Sequence, residues 1–148
     1  VNVVAKMKSV NAVIGGEGNG GIIVPELHYG RDALIGIALF LTHLAKFGKS
    51  ISALRHTYPD YHMSKNKIEL SKDINVGKIF DGIRDMYKKQ PINIDDGLKI
   101  EFDNEWVHLR TSNTEPIIRI YTESTSATTA ENIAKKIMQD ISTLMKQQ

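Results

Sequence analysis

Apolar residues recur along the chain with two different periods, and the change falls near residue 60. Between Asp32 and Gly48 they are Ala33, Leu34, Ile35, Ile37, Ala38, Leu39, Phe40, Leu41, Leu44, Ala45 and Phe47. On a helix they would surround most of the axis, which predicts a buried helix. Asp32 is its N-cap and Gly48 its stop. Ser50 to Arg55 predicts a shorter helix. Tyr58-Pro59-Asp60-Tyr61 then interrupts the pattern and predicts a linker.

Beyond the linker, His62 to Leu70 reads as a polar strand. Asn75 or Asp73 can cap a helix with Val76, Ile79, Phe80, Ile83 and Met86 or Tyr87 on one face. Ile92 and Ile94, the Asp95-Asp96-Gly97 turn, and Leu98, Ile100 and Phe102 give a strand, a turn and a period-2 strand. Trp106 to Arg110 and Ile117 to Glu123 are further strand-like runs. In the first, Trp106, His108 and Arg110 share one face, and Val107 and Leu109 the other. The last element has the plainest signal. Thr128 with Glu131 makes a capping-box pattern. Ala130, Ile133, Ala134, Ile137, Met138, Ile141, Leu144 and Met145 then keep helical spacing, so Met138 and Met145 read as core. This second region reads as β-α-β-β-β-α, an antiparallel sheet covered on one face by two helices.

Two polar loops interrupt these elements. Asn11 to Ile14 leads into Gly15-Gly16-Glu17-Gly18-Asn19-Gly20-Gly21. The spacing Gly16, Gly18, Gly21 matches a dinucleotide fingerprint, but that motif must open a helix. Here Ile22-Ile23-Val24-Pro25 follows and reads as extended. What remains is a glycine loop presenting Glu17 and Asn19, side chains suited to hydroxyls, or a turn with no ligand. The second loop, Thr111 to Pro116, lies between Arg110 and Arg119. Such a loop can turn several N–H groups toward one point, and arginine adds a planar fork of donors for phosphate. A surface hairpin with solvated charges would carry the same residues.

Composition narrows the choices. With 19 basic and 17 acidic residues, the net charge of +2 does not by itself imply nucleic acid. That reading needs a basic stripe interleaved with aromatics, and Lys65, Lys67 and scattered charges are the sequence's only offer. No cysteine is present, which fits a reducing compartment and an expected cytoplasmic location. No apolar run is long enough for a membrane helix. The five histidines lack metal-ligand spacing, and Asp95 and Asp96 read as turn chemistry. Neither a P-loop, an EF-hand loop nor a nucleophile elbow is found. Parts that could hold a phosphorylated, hydroxyl-rich ligand thus occur without a chemical engine. The chain opens at Val1, without methionine, in what reads as an ongoing strand or loop, so upstream sequence is expected.

Taken together, the two loops resemble the α-D-phosphohexomutases. Gly16-Glu17-Gly18-Asn19-Gly20-Gly21, followed by a long helix, is similar to their sugar-recognition loop. Arg110-Thr-Ser112-Asn113-Thr114-Glu-Pro-Ile-Ile-Arg119 is similar to their phosphate-binding loop. The resemblance spans essentially the whole chain and implies a mixed α/β and α+β fold. Residues 1 to 59 would be the C-terminal end of an α/β third domain. Residues 60 to 148 would be a TATA-binding-protein-like fourth domain, an antiparallel sheet under two helices.

It also implies roles. Glu17 and Asn19 would grip ring hydroxyls, and Arg110, Ser112, Asn113, Thr114 and Arg119 would hold the non-reacting phosphate of a hexose phosphate. The phosphoserine and the magnesium ion of the whole enzyme would belong to upstream domains, the expected partners of this region, and the fragment alone would be inactive. Neither a nucleic-acid nor a membrane partner is expected. Many members have Ser-Gly-His where this chain has Asn19-Gly20-Gly21, so the family's loop histidine is replaced by Gly21. The loop also lacks the Gln-Ser-Gly-His form usual in bacterial phosphoglucosamine mutases, which favours a phosphogluco/phosphomannomutase. A phosphoglucosamine mutase fragment and a stand-alone phosphosugar-binding module are the alternatives.

Overall fold

The structure, a computed structural model, describes residues 2–18, 20–71 and 73–148. The chain divides into two compact units, Val1–Pro59 and Asp60–Gln148.

The first unit opens with helix α1, Asn2–Ser9, where a strand or loop was expected. Val3 and Val4 favour extended chain, but Ala5, Lys6, Met7 and Lys8 are good helix formers. Met7, 4% exposed, also packs where Gly15 has no side chain. Strands β1, Gly15–Gly16, and β2, Ile22–Ile23, then pair antiparallel around the glycine loop.

Helix α2, Ala33–Phe47, has the expected bounds. Asp32 accepts from the Leu34 and Ile35 N–H groups, and Gly48 sits in the left-handed region at φ 70°. The expectation that this helix is buried does not hold. None of its residues is buried, and Leu34 is 79% exposed. Its apolar residues encircle the axis, whereas β2 and the short helix α3, Ile51–Arg55, cover only part of it. Ile35, Gly36, Leu44 and Phe47 are the partly covered positions.

The second unit is a five-stranded antiparallel sheet with helices packed on one face. Its strands are β3, His62–Glu69; β4, Ile92–Asn93; β5, Leu98–Glu101; β6, Trp106–Thr111; and β7, Ile117–Ser124. Their spatial order is β3-β7-β6-β5-β4. The β-α-β-β-β-α summary is thus one strand short of the runs read from the sequence, since the Ile92 run is a strand of its own, Ile92–Asn93, paired with β5, with Ile94 left 65% exposed.

Helix α4, Val76–Met86, is capped by the Asn75 side chain and buries Ile79 and Ile83. Helix α5, Ala127–Lys146, begins earlier than the capping box suggested. Ser126, not Thr128, is the cap and accepts from the Thr129 N–H. Ser124 Oγ accepts from the Ser126 N–H and fixes the strand-to-helix turn one residue before that cap. The core lies between sheet and helices, with Ile100, Val107, Leu109, Ile118 and Ile120 facing Ile79, Ile83, Ile137 and Ile141.

A polar contact ties the two helix regions. The Tyr87 hydroxyl donates to Asp140 Oδ2 at 2.7 Å, and Lys136 Nζ donates to the same oxygen at 3.2 Å. Burial, followed by the hydrogen bond to Asp140 and then by its charge, raises the Tyr87 pKa. The neutral phenol is thus the form the fold prefers. Its contribution is present below the ordinary tyrosine value of 10.0 and lost as pH rises through the higher folded value. Tyr87→Phe should lower stability by about 1 kcal/mol and remove this alkaline dependence. Urea denaturation at pH 8 and above pH 10 measures both effects.

Candidate functional site

The second unit brings the candidate phosphate residues together at one end of the sheet. Strands β6 and β7 form a hairpin whose register places Arg110 opposite Arg119 and Thr111 opposite Ile118. Val107, Leu109, Ile118 and Ile120 are buried, so the alternating pleat turns Arg110 and Arg119 to the face away from the helices. Both are about half exposed, at 51% and 44%. Two like charges directly across a sheet oppose its stability. Each guanidinium is met by a carboxylate: Arg110 by Asp96 at 3.3 Å, and Arg119 by Glu115 at 3.8 Å.

The loop between them is folded on itself. The Ser112 N–H donates to Ile117 O at 3.1 Å and closes the hairpin. Ser112 Oγ accepts from the Thr114 N–H at 3.4 Å and lies 3.3 Å from the Thr114 hydroxyl. Asn113, between them, is exposed. The loop is also anchored from the far side, since the Leu70 N–H donates to Pro116 O at 2.8 Å. Arg110, Ser112, Asn113, Thr114 and Arg119 thus form one surface of cationic forks and hydroxyls, chemistry suited to an oxyanion.

Reading the sequence alone missed the part of Asp96. The Asp95-Asp96-Gly97 segment is the turn it suggested: Asn93 and Asp95 hydrogen-bond each other, and Gly97 has φ 85°. A Cβ on Gly97 would collide with the Leu109 carbonyl oxygen. That close approach puts Asp96 beside Arg110, and His108 Nε2 meets the Asp96 carbonyl. Only the β5–β6 register, Leu98 opposite Leu109, brings these segments together.

In the first unit the glycine loop is a closed turn. The Glu17 N–H donates to Gly21 O, and the Gly20 N–H donates to Glu17 O, both at 3.0 Å. Asn19, a candidate for ring hydroxyls, lies outside the described residues. Glu17 lines a cleft of about 320 Å³ with Val3, Val4, Ile23, Tyr29 and Arg31. Arg31 was not singled out from the sequence, where it reads only as the charged edge of α2.

Asp32 ties this loop to the helix. Its N–H donates to Ile22 O at 2.8 Å while its carboxylate caps α2 and approaches His28 Nε2 at 3.3 Å. The Ile35 N–H is the largest cause of its lowered pKa, with Leu34 and His28 adding to it. Among the described residues, no three His, Cys, Asp or Glu side chains gather as a metal-holding group. No described helix is long and apolar enough to cross a membrane.

These features define an α+β unit that presents an arginine- and hydroxyl-bearing hairpin loop, and a separate helical unit with a polar glycine loop. Comparisons give the family. The model for phosphoglucomutase/phosphomannomutase, alpha/beta/alpha domain III, matches residues 1–61. The model for the phosphoglucomutase/phosphomannomutase C-terminal domain matches residues 65–140. The chain belongs to the phosphoglucomutase/phosphomannomutase family.

A "Phosphoglucomutase/phosphomannomutase" of Thermococcus kodakarensis is 41% identical over 118 residues, covering 78% of this chain and 25% of that protein. A "Phosphoglucosamine/phosphogalactosamine mutase" of Sulfurisphaera tokodaii is 33% identical over 139 residues, covering 93% and 30%. The chain therefore spans less than a third of the length of either relative. A solved phosphoglucomutase/phosphomannomutase family protein from Burkholderia thailandensis shares the fold, with a TM-score of 0.72 at 24% identity, over 96% of this chain and 30% of that one.

The Asp32 cap yields a pH prediction. Because its folded pKa is depressed, its contribution is present above the ordinary value of 3.8 and lost as pH falls through the lower folded value. Asp32→Ala should speed hydrogen exchange at the Leu34 and Ile35 amides at neutral pH. In the unaltered chain, exchange corrected for intrinsic rates should quicken at the same amides on acidification.

Proposed function

We propose that this chain is the sugar- and phosphate-binding C-terminal part of a phosphohexomutase. Such an enzyme interconverts hexose 1-phosphate and hexose 6-phosphate through a bisphosphate intermediate. The observation that carries this reading is the Arg110–Arg119 pair set beside the Ser112–Thr114 hydroxyls in the β6–β7 hairpin. Arg110, Ser112, Asn113, Thr114 and Arg119 hold the phosphate that is not being transferred, in either orientation of the sugar. Glu17 and Asn19 grip ring hydroxyls. The phosphoserine and the magnesium ligands lie on upstream domains in this reading, and no residue here is assigned to the metal. The cytoplasm is the expected compartment.

Phosphoryl transfer depends on positioning and charge stabilisation. Groups that touch only the far phosphate can therefore still govern rate. Favoured substrates are glucose and mannose phosphates, in keeping with the 41%-identical relative. A hexosamine phosphate is the second reading, which the name of the 33%-identical relative supports.

Titration of the chain with glucose 1-phosphate should shift the amides of Ser112, Asn113 and Thr114. Perturbation confined to residues far from this loop would overturn the assignment. Arg110→Ala should weaken that binding by about tenfold. In a longer chain carrying the upstream domains, the same change should raise KM for the hexose phosphate. An unchanged KM would remove Arg110 from the site.

A further inference from the structure

The row of cations beside the loop does not end at Arg119. Strand β3 is the sheet edge next to β7, and Lys67 is the register partner of Arg119. Arg119 in turn partners Arg110. Lys67, Arg119 and Arg110 thus stand side by side on three adjacent strands. The sheet face is common to all three, because their neighbours Ile68, Ile118 and Leu109 pack into the core. Adjacent strands lie about 4.8 Å apart, so these long side chains can converge on one small anion.

Lys67 is also tied to the loop through its own strand. Three residues on, the Leu70 N–H donates to Pro116 O at 2.8 Å. Its charge is held as loosely as those of the arginines. Glu69 lies 3.7 Å from Lys67 Nζ, and both side chains are mostly exposed, at 82% and 60%. A doubly charged ligand can displace such a carboxylate at little cost.

We infer that Lys67 is the third cation of the phosphate site and binds the phosphate group of the ligand together with Arg110 and Arg119. This rests on the loop reading above and extends it to a strand that the loop motif does not include. A lysine on an edge strand can also serve to block pairing with another sheet. Lys65 would serve that purpose equally well. It stands one row farther from the loop, with its Nζ 5.9 Å from the centre of the Tyr121 ring. Lys65 is therefore the internal control.

The test is titration of the 148-residue chain with inorganic phosphate, followed by amide shifts. In the unaltered chain, Ser112 to Thr114 and Lys67 should shift together. Lys67→Met should weaken binding by about threefold to tenfold, and Lys67→Arg should restore it. Lys65→Met should stay within about twofold of the unaltered chain. Matching amide dispersion shows that each variant is folded. Loop shifts with unchanged affinity in Lys67→Met would overturn the role of Lys67 and leave the loop reading intact. Equal losses in Lys65→Met and Lys67→Met would also overturn it, because diffuse charge would then explain the binding. Absence of loop shifts in the unaltered chain would overturn both readings.

Discussion

The register of strand β7 is the constraint on which the second unit depends. It is hydrogen-bonded along both edges, to β3 and to β6. A slip of one residue would send Ile118 and Ile120 into solvent and drive Arg119 toward the helices. Thr122 locks the arrangement: it is fully buried, and its hydroxyl donates to Ala130 O at 2.7 Å. Losing that acceptor would leave a buried hydroxyl unsatisfied, at a cost of about 1–3 kcal/mol. Strand register and the docking of α5 are therefore one constraint. The same constraint points Arg119 and Tyr121 outward.

What the register leaves on the open face is electrostatically uncomfortable. Arg110 faces Arg119, and the carboxylates that offset the repulsion are exposed partners at 3.3 and 3.8 Å. Exposed pairs of this kind contribute only about 0–1 kcal/mol each. In the proposed reading a phosphate meets donors whose backbone positions the sheet has already fixed. Less ordering then remains to oppose binding. The like-charge pair is tolerated because the core on the other side of the sheet carries the stability.

The first unit shows the opposite balance. Its local signals are strong: Asp32 caps α2, Ser50 caps α3, and Gly48 ends a helix in the left-handed region. Its tertiary burial is slight, with Met7, Ile23 and Leu54 as its buried apolar residues among those described. An element can be written fully into local sequence while its apolar surface has few partners in the same 59 residues.

Local sequence determined the elements whose causes are local. The bounds of α2, the strands flanking Thr111 to Pro116 and the apolar stripe of α5 follow from caps and periodicity alone. The grouping of Arg110, Ser112, Asn113, Thr114 and Arg119 as a candidate site was also legible there, because five of ten consecutive positions carry donors. Tertiary structure decided whatever rests on contacts between distant segments. It made a helix of Asn2–Ser9 by giving Met7 a place against Gly15, and moved the α5 cap to Ser126 beside Ser124. It left α2 exposed, because hydrophobicity dictates a need for cover and not its supply. It also brought Asp96 to Arg110 and set Lys67 beside Arg119, since register joins residues that no sequence spacing marks as neighbours.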